Sequence, residues 1–329
     1  MRALSLWAVV LVGLLGCGKV SQLTGKTFHQ KCGWKAKDFF DDPQVIALCH
    51  AIEKNDIAEI DRLVADGANV NALGKDNMTP LLWAYPDNNL ERFTRLLHHG
   101  ADPNVSIKSD LNTRGGFGVG DSVTHMACRT TFPGYFEAVF EHGGDPNLVK
   151  NGIFKGDTPL FSVVTGGGPN KKSHLKLLIE KGANVNHLNG GGNTPVMQAV
   201  SWGGQYVLAL ELLRAGADWK IYLPNTNTKL VHLVAMEVDP TPNQPRTATT
   251  PQSRKSLWTP QQATDYEELV KWLEDHGESI DVAKADIKRH QSWSGTTGEY
   301  RRKLDAEIAE RVAREAKDKA AAEETDRQD

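Results

Sequence analysis

The apolar and polar positions of this chain repeat a short phrase. Two apolar residues, two others, Gly, a small residue and Asp or Asn follow one another in that order. The Gly of the phrase is Gly67, Gly100, Gly143, Gly182 and Gly216, and a degenerate copy ends at Gly277. Two of the intervals are 33 and 34 positions long, from Gly67 to Gly100 and from Gly182 to Gly216. A period in this range predicts an array of small units that stack on one another.

A second phrase stands before most copies of the first. It reads Thr-Pro-Leu at 79–81 and 158–160 and Thr-Pro-Val at 194–196, with weaker copies at Thr124 and Thr228. Thr at a helix N-cap accepts a backbone N–H, and Pro fits the first helical turn, where an N–H would lack a partner. Each unit is therefore predicted to hold two helices, with the Thr-Pro phrase at the start of the first and the repeated Gly just after the second. That Gly allows the left-handed conformation that ends the second helix, and the following Asp or Asn turns the chain. The predicted helix pairs lie near 44–53 with 56–66, 79–85 with 89–98, 122–130 with 133–142, 158–165 with 172–181, 194–202 with 204–215, and 228–237 with 260–276.

The two phrases recur in phase with each other, and together they resemble the ankyrin repeat. The resemblance covers about residues 43–282 and implies an all-α repeat fold, an ankyrin solenoid of about six helix-turn-helix repeats with β-hairpin fingers. Two intervals are too long, because Gly100 to Gly143 is 43 positions and Gly216 to Gly277 is 61. We therefore expect insertions near 105–120, in a finger, and near 238–258, between the two helices of the sixth repeat.

The pattern changes again after the sixth repeat, and residues 283–329 are predicted to form a charged, partly helical C-terminal tail. Leu304, Ile308, Val312 and Ala316 recur every four residues, which predicts a helix with a narrow apolar stripe. Two interpretations stay open. The helix is solvated or frayed, or its stripe docks onto the last repeat or onto a partner.

The N-terminus has the pattern of an export signal. Arg2 precedes an apolar run from Ala3 to Leu15 that is too short for a membrane-spanning helix. The run ends Leu-Leu-Gly-Cys at 14–17, which resembles the lipobox of bacterial lipoproteins; a plain signal peptide with an incidental Cys is the alternative. The resemblance implies a signal peptide at 1–16, lipidation of Cys17 and a lipidated tether at 17–42. Residue 18 is Gly and not Asp, and the resemblance to Gram-negative lipoproteins then implies a location in the periplasm, anchored to the outer membrane by an N-terminal lipid.

Cysteine usage leaves one pairing open. An exported chain meets an oxidising compartment, so a Cys32–Cys49 disulfide is a candidate link between the tether and the first helix. Cys128 is then expected to be a buried, small apolar side chain. The alternative is that Cys32, Cys49 and Cys128 are all free thiols.

Charge and motifs exclude several classes of function. The 329 residues hold 38 Lys and Arg against 41 Asp and Glu, a net charge of −3, which argues against a nucleic-acid binder. His98, His99, His142 and His276 stand at predicted helix ends, where a partly positive side chain suits the helix dipole. The sequence lacks the ligand spacings of a zinc site, a phosphate loop and a Gly-x-Ser-x-Gly nucleophile elbow. We therefore expect no metal, no cofactor and no enzyme activity.

The ankyrin resemblance implies protein binding through finger tips and the ends of the first helices. The predicted binding residues on or near fingers are Lys75, Asp76, Phe117, Phe154, Lys155, Tyr222 and Asn225. Those just past first helices are Phe132, Ser201 and Trp202. Exposed aromatic rings among polar neighbours are typical of interface hot spots, although each ring could instead pack against an adjacent repeat. Trp83, inside a first helix, is predicted to be core.

The expected function follows from these resemblances. An ankyrin lipoprotein of this kind is similar to immunity proteins that neutralise secreted antibacterial effectors, including type VI phospholipases. The expected partners are a protein, such as a toxic lipase effector, and the membrane through the lipid anchor. Two alternatives remain: a general periplasmic ankyrin scaffold or stress-protection protein, and a hydrolase with an unrecognised site.

Overall fold

The computed structural model describes residues 27–111, 117–152, 154–223, 226–238, 258–292 and 297–325. These residues form helices, turns and loops, and no strand occurs among them. The chain divides into two compact units, Met1–Gly191 and Gly192–Asp329. The expected signal peptide and the lipidation site at Cys17 lie outside the described residues. No helix in the described ranges combines the length and the apolar character needed to cross a membrane.

The first unit contains four of the predicted helix pairs, preceded by a short helix. The helices are α1 (Phe28–Cys32), α2 (Pro43–Lys54), α3 (Ile57–Ala65), α4 (Pro80–Ala84), α5 (Leu90–His98), α6 (Val123–Arg129), α7 (Tyr135–Glu141), α8 (Pro159–Thr165) and α9 (Lys171–Glu180).

The second unit contains the remaining two pairs and the C-terminal helices. They are α10 (Pro195–Ser201), α11 (Tyr206–Arg214), α12 (Leu230–Val238), α13 (Pro260–Asp275), α14 (Ile280–Ser292) and α15 (Thr297–Thr325). The predicted all-α fold and its six helix pairs are confirmed, each boundary within a few residues of its prediction.

The capping chemistry explains where the first helices begin. The hydroxyls of Thr79 and Thr194 accept the backbone N–H of the third helical residue, and Pro follows each of them. Thr158 occupies the same position before α8 without a side-chain cap bond. The third pair departs from the phrase at its weaker copy, because Ser122 caps α6 and Thr124 is buried with its hydroxyl on the Pro103 carbonyl.

The ends of the second helices also follow the repeated phrase. The five repeat glycines have φ between 81° and 102°, the left-handed region that Gly enters at little cost. Two positions later an Asp or Asn side chain accepts the N–H of the second residue after it. These residues are Asn69, Asp102, Asp145, Asn184 and Asp218. The predicted turn chemistry is therefore confirmed.

Asn side chains join successive repeats in the first unit. Asn71, Asn104 and Asn147 each donate to the carbonyl of the Gly that ends the following repeat, at 2.8–2.9 Å. Their side-chain oxygens accept the N–H of Asp102, Asp145 and Asn184, respectively. Each amide thus satisfies one acceptor and one donor of its neighbour, an arrangement we call the Asn bridge.

The described residues of the fingers form turns and loops without strands, where β-hairpins were expected. In the third finger (residues 146–157), Lys150 N–H donates to Asp157 and Gly156 N–H donates to Lys150. A stretch of backbone pairing with only these two hydrogen bonds is too short to count as a pair of strands. The third finger also bonds to the fourth (residues 185–191) through Gly190 N–H and the Lys155 carbonyl, at 2.9 Å.

Residues 27–42 pack against the first repeats. Ala36 and Phe40 are buried, and Lys75 N–H donates to the Phe39 carbonyl at 2.8 Å. No disulfide joins the cysteines at described positions, so the candidate Cys32–Cys49 bridge is absent from this structure. Cys49 instead lies fully buried on α2, where burial raises the pKa of its thiol. Cys128 is buried, as predicted.

The first half of the tail helix α15 packs against the other helices of the second unit. Leu304 is buried, whereas Val312 is 51% exposed. Glu307 accepts from Asn227, Arg289 and His290 at 2.9–3.0 Å. The docking interpretation therefore holds for the start of the apolar stripe, and the solvated interpretation holds for its end.

Candidate protein-binding surface

The third and fourth fingers carry three exposed apolar side chains in the first unit. Val149 is 39% exposed, Phe154 63% and Leu188 51%. Lys155, also exposed, follows Phe154 directly. We call these four residues the finger edge.

Phe154 is held in an unusual backbone conformation. Its φ is +60°, a region that bulky residues rarely enter because Cβ crowds the carbonyl. The Lys150 ammonium lies 5.6 Å from the centre of its ring. The finger therefore presents a large aromatic ring at a position where Gly would be less strained.

A buried ion cluster fixes the base of the third finger. Lys150 Nζ lies 2.6 Å from Asp121, and both side chains are nearly inaccessible to solvent. Arg129 donates to both oxygens of Asp121, at 2.9 and 2.6 Å. Burial alone raises the pKa of the Asp121 carboxyl, but the hydrogen bonds and charges of Arg129 and Lys150 outweigh it and lower that pKa to about 2. The cluster links the end of the second finger (residues 103–121) and α6 to the third finger.

A Ser–His pair lies beside this cluster and has a structural role. Ser122 Oγ lies 2.9 Å from His125 Nδ1, and His125 Nε2–H donates to the Leu148 carbonyl at 3.0 Å. Both side chains are completely buried, and burial lowers the pKa of His125 to about 4. Because no substrate reaches Oγ and Nε2 is committed to a carbonyl, the pair ties α6 to the third finger.

The fourth finger is held against the third by side chains. His187 Nε2–H donates to the Gly156 carbonyl at 2.8 Å. Asn189 donates to Asp157 at 2.9 Å. Leu188 therefore has a fixed position relative to Phe154.

The predicted site residues of the first unit have different environments. Phe154 and Lys155 are exposed on a finger, as predicted. The prediction that Phe117 is an exposed finger residue is wrong, because its ring is 5% exposed and packs on Phe28 and Trp34. Phe132 is half-buried against Tyr85 and Tyr135.

Lys75 and Asp76 form the tip of the first finger (residues 70–78). The Lys75 side chain is exposed, and the Asp76 carbonyl accepts the N–H of Lys108 in the second finger. Asp76 also has positive φ, at +58°.

In the second unit, Ser201 and Trp202 lie at the end of α10, with Trp202 36% exposed. Tyr222 is half-buried because the Arg311 guanidinium of α15 stacks 4.1 Å above its ring. Asn225 lies outside the described residues. The structure therefore groups only Phe154 and Lys155 of the predicted set on the finger edge.

Val149, Leu188 and the Asp121–Lys150 pair were absent from the predicted set. The sequence could have predicted that Val149 and Leu188 lie on fingers, because each follows a repeat Gly, Gly143 and Gly182 respectively, by six positions. No signal in the sequence pairs Asp121 with Lys150, which lies 29 positions away.

Comparison with known protein families agrees with the repeated helix pairs of the structure. Residues 124–222 match the model for ankyrin repeats in three copies, and residues 76–108 match the single ankyrin repeat. The chain carries ankyrin repeats. The ankyrin repeat is a scaffold for protein–protein interaction, so the exposed finger edge is a candidate protein-binding surface.

Two curated proteins share the ankyrin repeats over part of the chain. An E3 ubiquitin-protein ligase, KEG, of Arabidopsis thaliana is 37% identical over 101 residues, which are 30% of this chain and 6% of that protein. A putative ankyrin repeat protein of Acanthamoeba polyphaga mimivirus is 32% identical over 82 residues, 25% of this chain and 49% of that protein. The matched part thus spans less than half of either relative.

Two solved ankyrin structures were also found. The ankyrin repeat domain of Bcl-3 has a TM-score of 0.46 and 20% identity, over 57% of this chain and 79% of that one. An ankyrin repeat domain from Acinetobacter baumannii AYE has a TM-score of 0.47 and 22% identity, over 57% of this chain and 89% of that one.

Proposed function

We propose that this protein binds another protein through the finger edge, with Phe154 as the central anchor. The observation that carries the proposal is Phe154 itself, an exposed aromatic ring on a strained backbone. Strain of this kind costs about 1–3 kcal/mol and persists where the surrounding structure enforces it, which is common at binding sites. The buried cluster of Asp121, Arg129 and Lys150 supplies that enforcement here.

The composition of the edge suits a protein partner. A large ring flanked by smaller apolar side chains and a Lys is typical of an interface hot spot with a surrounding rim. The matching surface would be an apolar pocket for the ring, with an acidic or polar group near Lys155.

A second, more specific proposal concerns the location of the protein and the identity of its partner, and it rests on the sequence. We propose a lipid-anchored, periplasm-facing protein that neutralises a secreted antibacterial effector of the type VI, lipase-like class. The lipobox-like Cys17, the interaction scaffold and the lack of a recognised catalytic motif support it. A general periplasmic scaffold or stress-protection role is the second candidate. The inaccessible Ser122–His125 pair counts against a hydrolase at that position.

One pair of variants tests the surface. Phe154→Ala removes the ring, and Leu73→Ala is the matched control, because Leu73 is equally exposed, at 63%, on the first finger. In pull-down with a purified effector of the proposed class, Phe154→Ala should weaken binding about tenfold or more, and Leu73→Ala should not. Equal binding by both variants would reject the finger edge.

The lipid anchor and the immunity role need separate tests. Cys17→Ser should abolish incorporation of labelled palmitate and release the protein from the membrane fraction. Deleting the gene should make cells sensitive to siblings armed with the effector. Unchanged resistance after deletion would exclude the immunity role while leaving the protein-binding surface in place.

A further inference from the structure

A charged cleft separates α15 from other helices of the second unit. It has a volume of about 590 Å³ and lies between α15, the helices α12 and α14, and the turn before α12. Its lining is polar or charged apart from Ala306 and the ring of Tyr222. The volume is in the range of small-ligand sites. The charged lining differs from the apolar contact that usually seats a helix.

Most of the negative charge in the cleft is neutralised inside the protein. The lining holds three carboxylates, those of Asp286, Glu307 and Glu310. Asp286 lies 3.1 Å from Arg289. Glu307 accepts from three side chains of the lining at 2.9–3.0 Å. Glu310 is exposed and has no such partner among the described residues, so it is the one carboxylate of the lining that faces a ligand unpaired.

Arg311 is held rigidly at the wall of this cleft. Its side chain is 12% exposed, and its guanidinium stacks 4.1 Å above the ring of Tyr222. Nε donates to Asn227 at 2.7 Å, and Nη1 donates to Glu315 at 2.9 Å. Nη2 has no bonded acceptor at the described positions. One fixed cationic donor is therefore left for a ligand.

Arg314 adds a second guanidinium with unused donors. It follows Arg311 by three positions, so both side chains lie on one face of α15 and line the same cleft. Within the part of the chain that the structure describes, Arg314 makes no hydrogen bond or ion pair. Like charges at this spacing repel each other, and an anion bound between them would remove that cost. The planar fork of each guanidinium matches the oxygens of a phosphate.

We propose that this cleft binds a phosphate group between Arg311 and Arg314. The group belongs to a soluble phosphate monoester or to a phospholipid head, which present the same oxygens to the two guanidinium groups. The carboxylate of Glu310 opposes the anion and limits its affinity. This site lies in the second unit and does not depend on the finger edge.

Titration of the full chain with inorganic phosphate at constant ionic strength tests the site. The NMR resonances of the Nε–H groups of Arg311 and Arg314 should shift saturably with phosphate and not with chloride. Arg314→Gln should weaken phosphate binding about tenfold, because it removes charge-assisted hydrogen bonds. Glu310→Gln should strengthen binding about threefold, because it removes a like charge beside the anion.

Arg302→Gln is the matched control for the loss of one positive charge. Arg302 is an exposed Arg of the same helix and does not line the cleft, so its variant should bind phosphate as wild type does. All three substituted side chains are exposed, and circular dichroism checks that each variant keeps its helices.

Two probes distinguish the sources of the phosphate group. Glycerol phosphate is the soluble probe, and phosphatidylcholine vesicles containing phosphatidic acid present the group on a membrane. A Cys17→Ser chain, to which the proposed lipid cannot be attached, makes sedimentation with vesicles report on the cleft. A lipid source predicts sedimentation that Arg314→Gln abolishes. A soluble source predicts binding of glycerol phosphate and no sedimentation.

Three results would overturn the proposal. The first is that phosphate shifts neither arginine resonance at constant ionic strength. The second is that Arg302→Gln loses as much affinity as Arg314→Gln, which would indicate a general effect of charge. The third is that Glu310→Gln binds phosphate no more tightly than wild type, because the anion then lies elsewhere.

Discussion

Replacing Asp121 by Asn isolates the contribution of the buried ion cluster to stability. Asn has the shape of a protonated Asp, so Asp121→Asn mimics neutralisation of the carboxylate between Arg129 and Lys150. The Asp121 pKa of about 2 lies below its ordinary 3.8. That difference corresponds to about 2 kcal/mol of unfolding free energy at neutral pH. Asp121 is 2% exposed, so solvent screening reduces this value little.

The pH dependence of this difference in unfolding free energy gives a second check. A carboxyl whose pKa is lowered by folding stabilises the protein above pH 3.8 and loses that contribution as the pH falls through 2. The difference between wild type and Asp121→Asn should therefore be about 2 kcal/mol at pH 7 and about half of that at pH 3.

Urea unfolding followed by circular dichroism measures both values. Asp66→Asn is the matched control, because Asp66 also pairs with an Arg, Arg62, but on an exposed helix surface. The control should leave the urea midpoint unchanged, since exposed pairs contribute little. The reasoning fails if Asp121→Asn unfolds at the wild-type midpoint, or if its deficit is as large at pH 3 as at pH 7.

Three further changes have defined outcomes. Phe154→Gly should raise the unfolding free energy by about 1 kcal/mol by relieving positive φ, while losing partner binding; a calorimetric melt together with a pull-down checks both, and a loss of stability would contradict the strain argument. Arg311→Ala removes the stack on Tyr222 and a bond to Asn227, so trypsin should cleave α15 faster with unchanged melting of the repeats; an unchanged cleavage rate would show that the contacts of Leu304 and Glu307 are enough to hold the helix. Asn104→Ala breaks one Asn bridge and should cost about 1–3 kcal/mol in urea unfolding, and a deficit below about 0.3 kcal/mol would mean that water replaces the bridge.

Local chemistry made the repeats predictable from the sequence. Thr79 and Thr194 cap helices through bonds to residues three positions away, and the repeat glycines need positive φ whatever surrounds them. The exposure of Phe154 was predictable for the same reason, because its position in a finger follows from its distance to the repeat Gly.

Contacts distant in sequence were not predictable from these signals. Phe117 was expected on an exposed finger, but Phe28, 89 positions earlier, covers it. Tyr222 is covered in the same way by Arg311, 89 positions later. Both covering residues belong to segments outside the repeat pattern, so the period carried no information about where they pack.

The Asn bridges give the repeat array a direction. In each bridge the amide side chain belongs to the earlier repeat, and the Gly carbonyl and the Asp or Asn N–H that it binds belong to the later one. As the chain leaves the ribosome from its N-terminus, the earlier repeat presents its Asn before those groups have been synthesised. The second, third and fourth repeats therefore each meet an edge that already carries both a donor and an acceptor, which favours their assembly in the order of synthesis.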